Sequence, residues 1–438
     1  MDTYKKDIKA TILNQIFKVF CGPLLLIFIP LYLSDVEQGY WYTFTSIAAL
    51  VIFADLGFTN IVLQFAAHEF AYLSFDESSN IIGDKEYINR LSSFFRFSMK
   101  WLIKVVLVVF PLIIIGGYFF LESKGNLVSW KWAWILYSLS SVLVFVNSII
   151  LSFFEGCNSV SKIQVIRLKT SLCTSLVSIC GLYFGIHLYA LSFSLLFSSL
   201  FGSYMIYKNF YPSIKQFWIY SANYQYDWYP QFIALIWRYA ISWCSGYFIF
   251  QLFTPLAFMF HGPEFAGKIG ISIAMWMAGF GIASSWITAI TPKMNILIEE
   301  QNWRELDTVF NKNLVRAMLT MLVGGSVFFG LYFAFKGKYG FFNRVLDFTN
   351  MFILFVCWLA QLFINSVAIY LRSHKKEPMM LISLFSAFYI SITTFVCARF
   401  LSEEFLFTGF LTSFVYGVPF VIYLQRSEKK LHHKMEEK

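Results

Sequence analysis

The sequence predicts an all-α polytopic membrane protein of about twelve transmembrane helices in two six-helix halves. Three observations carry that expectation. Of 438 residues, 58% are hydrophobic and only 13% charged, with a mean hydropathy of +0.63, whereas a soluble domain carries about 25% charge. The apolar runs are continuous and about 20 residues or longer, enough to cross roughly 30 Å of hydrocarbon at 1.5 Å per residue. Barrel strands would instead alternate over segments of about ten residues. When the chain is passed alternately through a membrane, 20 of its 34 Lys and Arg fall on one side, 6 on the other and 8 within the bounds of the spans. By the positive-inside rule both termini then face the cytoplasm.

In order, the first six spans are 8–33, 40–66, 101–121, 132–155, 163–186 and 188–207, and the second six are 230–256, 266–291, 315–335, 348–371, 377–398 and 403–425. The start, MDTYKKDIKATILNQIFKVF, lacks the short apolar core and small-residue cleavage site of a signal peptide, so it is expected to stay as the first span. Outside loops are short and leave no room for an extracytoplasmic catalytic domain. The polar stretch 67–100 and the aromatic stretch 208–229 lie on the cytoplasmic side. The second is expected to lie along the membrane face as the linker between an N-terminal half, 1–207, and a C-terminal half, 230–425, with a basic tail at 426–438. Aligning Pro30-Leu31 with Pro255-Leu256, with three residues inserted around His261-Gly262-Pro263, brings Gly39 opposite Gly267, as a parallel internal repeat would.

The formal charge of +9 is spread between apolar runs, which argues for topology and against nucleic acid. Seven cysteines form no CxxC pair, six histidines show no metal spacing, and no GK[ST] phosphate loop occurs. The residues therefore point to no metal, no cofactor and no catalytic constellation.

Polar residues inside spans are expensive and mark function by default. Lys18 lies about 15 Å into span one by helical rise, with Asn14 one turn back on the same face. Asp55, followed by Leu56-Gly57, lies about 22 Å into span two. It either pairs with Lys18 or Arg238 to hold helices together, or takes up a coupling ion. Arg238 offers a fork suited to phosphate oxygens, or snorkels to headgroups. Arg167 and Lys169 open span five as headgroup contacts. Gln361 and Asn365 share a face of span ten, for interhelical hydrogen bonds or for sugar contacts. The glycines and serines of span eight (Gly267, Gly270, Gly279, Gly281, Ser284, Ser285) read as close helix packing.

The stretch IPLYLSDVEQGYWYTFTSIAALVIFADLGF, an acidic, glycine- and aromatic-bearing corner leading to a span with Asp-Leu-Gly, resembles the opening of the polysaccharide exporters of the multidrug/oligosaccharidyl-lipid/polysaccharide superfamily. WRYAISWCSGYFIFQLFTPLAFMFHGPEFAGKIGIS resembles the start of the second half in O-antigen-type flippases. The resemblance covers most of the chain. It implies two halves forming a V around a central cavity, and a flippase for undecaprenyl-pyrophosphate-linked oligosaccharide in the bacterial inner membrane. It implies partners too, a polysaccharide polymerase and a chain-length regulator beside the lipid bilayer. Lys18 and Arg238 would attract the pyrophosphate, Asn14, Gln361 and Asn365 would contact substrate, and Asp55 would tune the site or couple it to protons. The rivals are a small-molecule or multidrug exporter of the same superfamily and, less favoured because the outside loops are short, a polysaccharide polymerase.

Overall fold

The computed structural model describes residues 24–436 except 77, 126, 225 and 375–378, and no side chains at 223, 234, 235, 238, 239, 242 and 431–436. The fold is nearly all helical. Among the described residues nine helices are long and apolar enough to cross a membrane, or eleven when two bent pairs are counted as single spans. The expected first span, 8–33, lies mostly outside the described residues, with 24–32 helical.

The chain divides into two compact units, one of residues 1–33 and 44–244, the other of 34–43 and 245–438. The first holds the last five residues of α1 (Asp35–Ala48), α2 (Ile52–Asp55) and α3 (Phe58–Phe70), then a hairpin of β1 (Leu73–Phe75) and β2 (Ile81–Gly83). It continues with α4 (Lys85–Glu122), α5 (Lys131–Gly156), α6 (Val160–Tyr183), α7 (Tyr189–Asn223) and most of α8 (Tyr229–Phe250).

Two expectations are corrected here. The stretch 208–223 is not a separate segment but the continuation of α7, and the units part at 244/245. The physical reason is its aromatic spacing: Phe210 and Phe217 lie two turns apart on one helix face and both are fully buried. Phe210 stacks on Phe154 with ring centroids 4.1 Å apart, and Phe217 meets Phe95 at 5.0 Å. Segment 67–100, expected as a polar insertion, contains the hairpin and the first four turns of α4. Asp84 caps that helix by accepting the Glu86 N–H at 2.9 Å. The hairpin runs antiparallel with Leu73 opposite Gly83. Gln216 holds it to α7, accepting from the Ile81 N–H and donating to the Ile81 carbonyl, each at 2.7 Å.

The second unit contains α9 (Phe253–His261), α10 (Pro263–Thr288), α11 (Thr291–Glu299), α12 (Trp303–Phe335), α13 (Phe348–Ser373), α14 (Met380–Phe400) and α15 (Thr408–Glu436). The first ten residues of the acidic corner belong to it. Ser34 and Glu37 form a reciprocal cap: Glu37 Oε2 accepts from the Ser34 N–H at 2.9 Å, and Ser34 Oγ accepts from the Glu37 N–H at 3.2 Å. Asp35 pairs with Arg344 at 2.7 Å, and Gln38 Nε2 donates to the carbonyls of Gly267 and Arg344 at 2.9 and 3.1 Å.

Gly39 faces the Pro263 carbonyl so closely that a Cβ would sit 1.9 Å from its oxygen. A Cβ on Gly267 would lie 2.9 Å from the Gly39 nitrogen, so the two glycines aligned by the repeat are packed together. Gly270 is equally tight against Tyr42, whereas Gly281 faces open space. The close packing read from span eight therefore holds at its first two glycines and not along its length.

Candidate transport cavity

The span containing Asp55 is broken. The path from α1 through α2 to α3 bends by 43°, and between α2 and α3 Leu56 (φ 47°) and Gly57 (φ 78°) both take left-handed backbone. Glycine enters that region freely, whereas leucine does so rarely. The break leaves the first N–H groups of α3 without carbonyl partners. Asp55 supplies one: Oδ1 accepts the Thr59 N–H at 3.1 Å, and Oδ2 accepts the Thr59 hydroxyl at 2.9 Å. A carboxylate at a helix N-terminus also meets the positive end of the helix dipole.

The same carboxylate lines a cavity of about 830 Å³ in the first unit. Its other polar walls come from α1, α3, α5, α6 and α7. Glu155 near the end of α5 and Arg167 on α6 form a bidentate ion pair across the turn between their helices, Nη1 to Oε1 at 3.1 Å and Nη2 to Oε2 at 2.6 Å. Gln164 donates to the same Glu155 Oε1 at 3.2 Å. Paired charges with matched fork geometry are the form in which ions are tolerated away from water. Asn147 joins α5 to α7, donating to the Ser199 carbonyl at 2.8 Å and accepting from Ser203 Oγ at 3.0 Å.

Ten of the 27 lining residues are Ser or Thr, and many of their protons are already committed. Ser141, Ser148, Thr170, Thr174, Ser198 and Ser199 each donate to a backbone carbonyl three or four residues back. What such a hydroxyl keeps for a ligand is its lone pairs. The cavity wall is thus rich in acceptors, beside the donors of Asn60, Ser152 and Ser171, and its cation is neutralised by its own carboxylate. It suits a guest rich in O–H or N–H donors.

Of the residues singled out from sequence, Asp55 lies in this cavity. Lys18 and Asn14 lie outside the described residues, as does the side chain of Arg238 on α8. Gln361 and Asn365 are half-buried on α13 in the second unit and do not line the cavity. Neither makes a hydrogen bond among the described residues, so the interhelical bonds expected of them are not formed there. Arg167 is not a free headgroup contact: it is held by Glu155. Glu155 was not anticipated, although an acid and an arginine flanking the turn Gly156-Cys157-Asn158 are a visible signal. The run TSLCTS on α6 likewise gives Thr170, Ser171 and Thr174 one helix stripe.

No protein-family model matches the sequence, and no curated protein matches it. Solved structures do. An inward-facing multidrug resistance MATE family transporter of the MOP superfamily superposes with a TM-score of 0.59 at 13% identity, over 94% of this chain and 99% of the other. Its superfamily's outward-facing counterpart gives 0.60 at 13% identity, over 99% and 97%. The fold is that of the MATE transporters. A MOP superfamily transporter from Pyrococcus furiosus, whose reverse polarity of binding pocket suggests a different function, gives 0.61 at 12% identity, over 98% and 96%. The MATE fold here thus extends over nearly the whole chain, while the identities are too low to carry a substrate with it.

Proposed function

We propose that this chain is a bacterial inner-membrane exporter working by alternating access, and that its cargo is an undecaprenyl-pyrophosphate-linked oligosaccharide moved from the cytoplasmic to the periplasmic leaflet. The observation that carries the reading is the acceptor-lined cavity of the first unit, since a glycan is dense in hydroxyl donors. The near-equal likeness to inward- and outward-facing structures supports alternating access. Arg167, already matched by Glu155, is not assigned to the pyrophosphate. That role goes to Lys18 and Arg238, with Asn14, Gln361 and Asn365 as further substrate contacts. Of the two roles open to Asp55, the bonds to Thr59 favour the structural one over ion coupling. Both termini are placed in the cytoplasm, and a polymerase and a chain-length regulator are the expected partners.

The second reading, a small-molecule or multidrug exporter, is favoured by what the structural neighbours are called. Deleting the gene separates the two. Lipid-linked repeat units trapped in the cytoplasmic leaflet, with drug susceptibility unchanged, support the flippase. Normal surface polysaccharide with raised drug sensitivity overturns it. Lys18→Ala and Arg238→Ala are expected to impair translocation while leaving membrane insertion intact.

A further inference from the structure

A second cavity of the first unit, about 440 Å³, is lined by basic and aromatic side chains that the transport reading does not use: Arg96 and Lys100 of α4, with Tyr224, Tyr226 and Trp228 from the stretch between α7 and α8, and Tyr229 at the start of α8. Arg96, Lys100 and Lys104 recur every fourth residue, so they stand on one face of α4 over about 12 Å. No carboxylate among the described residues pairs with any of the three. Arg96 Nη1 donates to the Ser221 carbonyl at 2.9 Å, and its Nε is buried without a hydrogen-bond partner. Lys104 Nζ donates to the Tyr229 hydroxyl at 3.1 Å and stands 5.8 Å from that ring's centroid. Asp227 also lines the cavity, but one of its oxygens accepts the Tyr229 N–H at 3.1 Å.

The walls are fixed. Trp228 is buried, and Ser93 Oγ accepts from both the Trp228 indole and the Tyr226 N–H, at 3.3 and 3.1 Å. Past Lys104 the same helix face turns apolar and outward: Val108, Leu112 and Ile115 are 62%, 68% and 54% exposed. A row of unpaired cations thus ends where a stripe of exposed hydrocarbon begins. That order matches an amphiphile with a phosphate at one end and a long chain at the other.

We propose that this cavity binds the phosphate of a membrane lipid, with Lys100 and Lys104 as its contacts, Arg96 behind them, and the lipid chain lying along Val108, Leu112 and Ile115. The phosphate belongs either to a resident glycerophospholipid or to a polyprenyl phosphate. Lysines that merely reach for water would show no such preference.

The test is thermal unfolding of the full-length protein in detergent, titrated separately with phosphatidylglycerol, undecaprenyl phosphate, phosphatidylcholine and inorganic phosphate. One or both of the first two are expected to raise the midpoint at concentrations where the last two do not. The K100A/K104A protein, altered at two exposed positions, is expected to need at least about tenfold more lipid, the loss of two charge-assisted contacts. K100R/K104R is expected to keep the response. A response to phosphatidylglycerol identifies a resident lipid, and a response to undecaprenyl phosphate alone identifies a polyprenyl one. Equal effects of phosphatidylcholine or inorganic phosphate overturn the proposal, as does an undiminished response in K100A/K104A.

Discussion

Asp55 and Thr59 offer the sharpest test of why a carboxylate sits inside a span. Thr59→Val keeps shape and charge and removes only the hydroxyl that donates to Oδ2 at 2.9 Å. A hydrogen bond to a charged group contributes about 1.5–3 kcal/mol. The carboxylate borders an open cavity and keeps its second bond, to the Thr59 N–H at 3.1 Å. The expected loss is therefore at the low end, about 1–1.5 kcal/mol. For Asp55→Asn two effects oppose. The amide oxygen still accepts one bond, but the charged cap and its dipole interaction weaken by about 2 kcal/mol. Against that, removing a charge from a span relieves up to about 3 kcal/mol of burial cost for a fully enclosed group. Because this side chain faces a cavity, only part of that relief is available, and a net destabilisation of about 1 kcal/mol is expected. Unfolding in detergent and transport in cells are measured on both variants and on the double variant, whose losses should not add. A Thr59→Val protein as stable as wild type, beside an Asp55→Asn protein that is more stable yet inactive, would refute the capping argument and restore the coupling carboxylate.

Other consequences are simpler to read. Truncating Glu155 alone strands Arg167 and should cost more than removing both partners together, by about 1–2 kcal/mol given that the pair is partly exposed; equal losses in a double-mutant cycle would mean the pair is ornamental. Gly39→Ala drives a methyl into the Pro263 carbonyl, and a loss of about 1–3 kcal/mol, seen as a lower unfolding midpoint, is expected, with no effect counting against the packing described. Phe210→Ala should destabilise by about 3–5 kcal/mol, since its ring lies flat on Phe154. A free linker at 208–223 would show nothing on the same measurement.

Hydropathy located the spans because lipid demands long apolar helices, and Lys131–Gly156 and Phe348–Ser373 match their expected bounds within a few residues. The same measure could not see the end of a span whose helix continues. The aromatic run after Lys208 is polar enough to resemble a surface segment, and only its partners Phe95, Phe153 and Phe154 make it core. Asp55 was visible as a costly residue and Leu56-Gly57 as a motif, yet the break they make depends on left-handed backbone at a leucine, which sequence does not advertise. The cavity hydroxyls were hidden for another reason. Serine in a membrane helix reads as packing, and whether it faces a neighbour or a void depends on how α5, α6 and α7 come together.

The two acids that line the first unit's larger cavity share a property that bears on how the chain enters the membrane. Asp55 is satisfied by a residue four positions later, and Glu155 by one twelve positions later, just across a helical turn. Each charge is thus matched by chain made within moments of it, before any distant helix has been synthesised. Asp55 is capped as soon as its own segment coils. The α5–α6 pair brings its arginine and glutamate in as one hairpin, already neutral. The partners of these charges are near in time as well as in space, so a membrane span can leave the translocation machinery without waiting for the rest of the fold to shelter it.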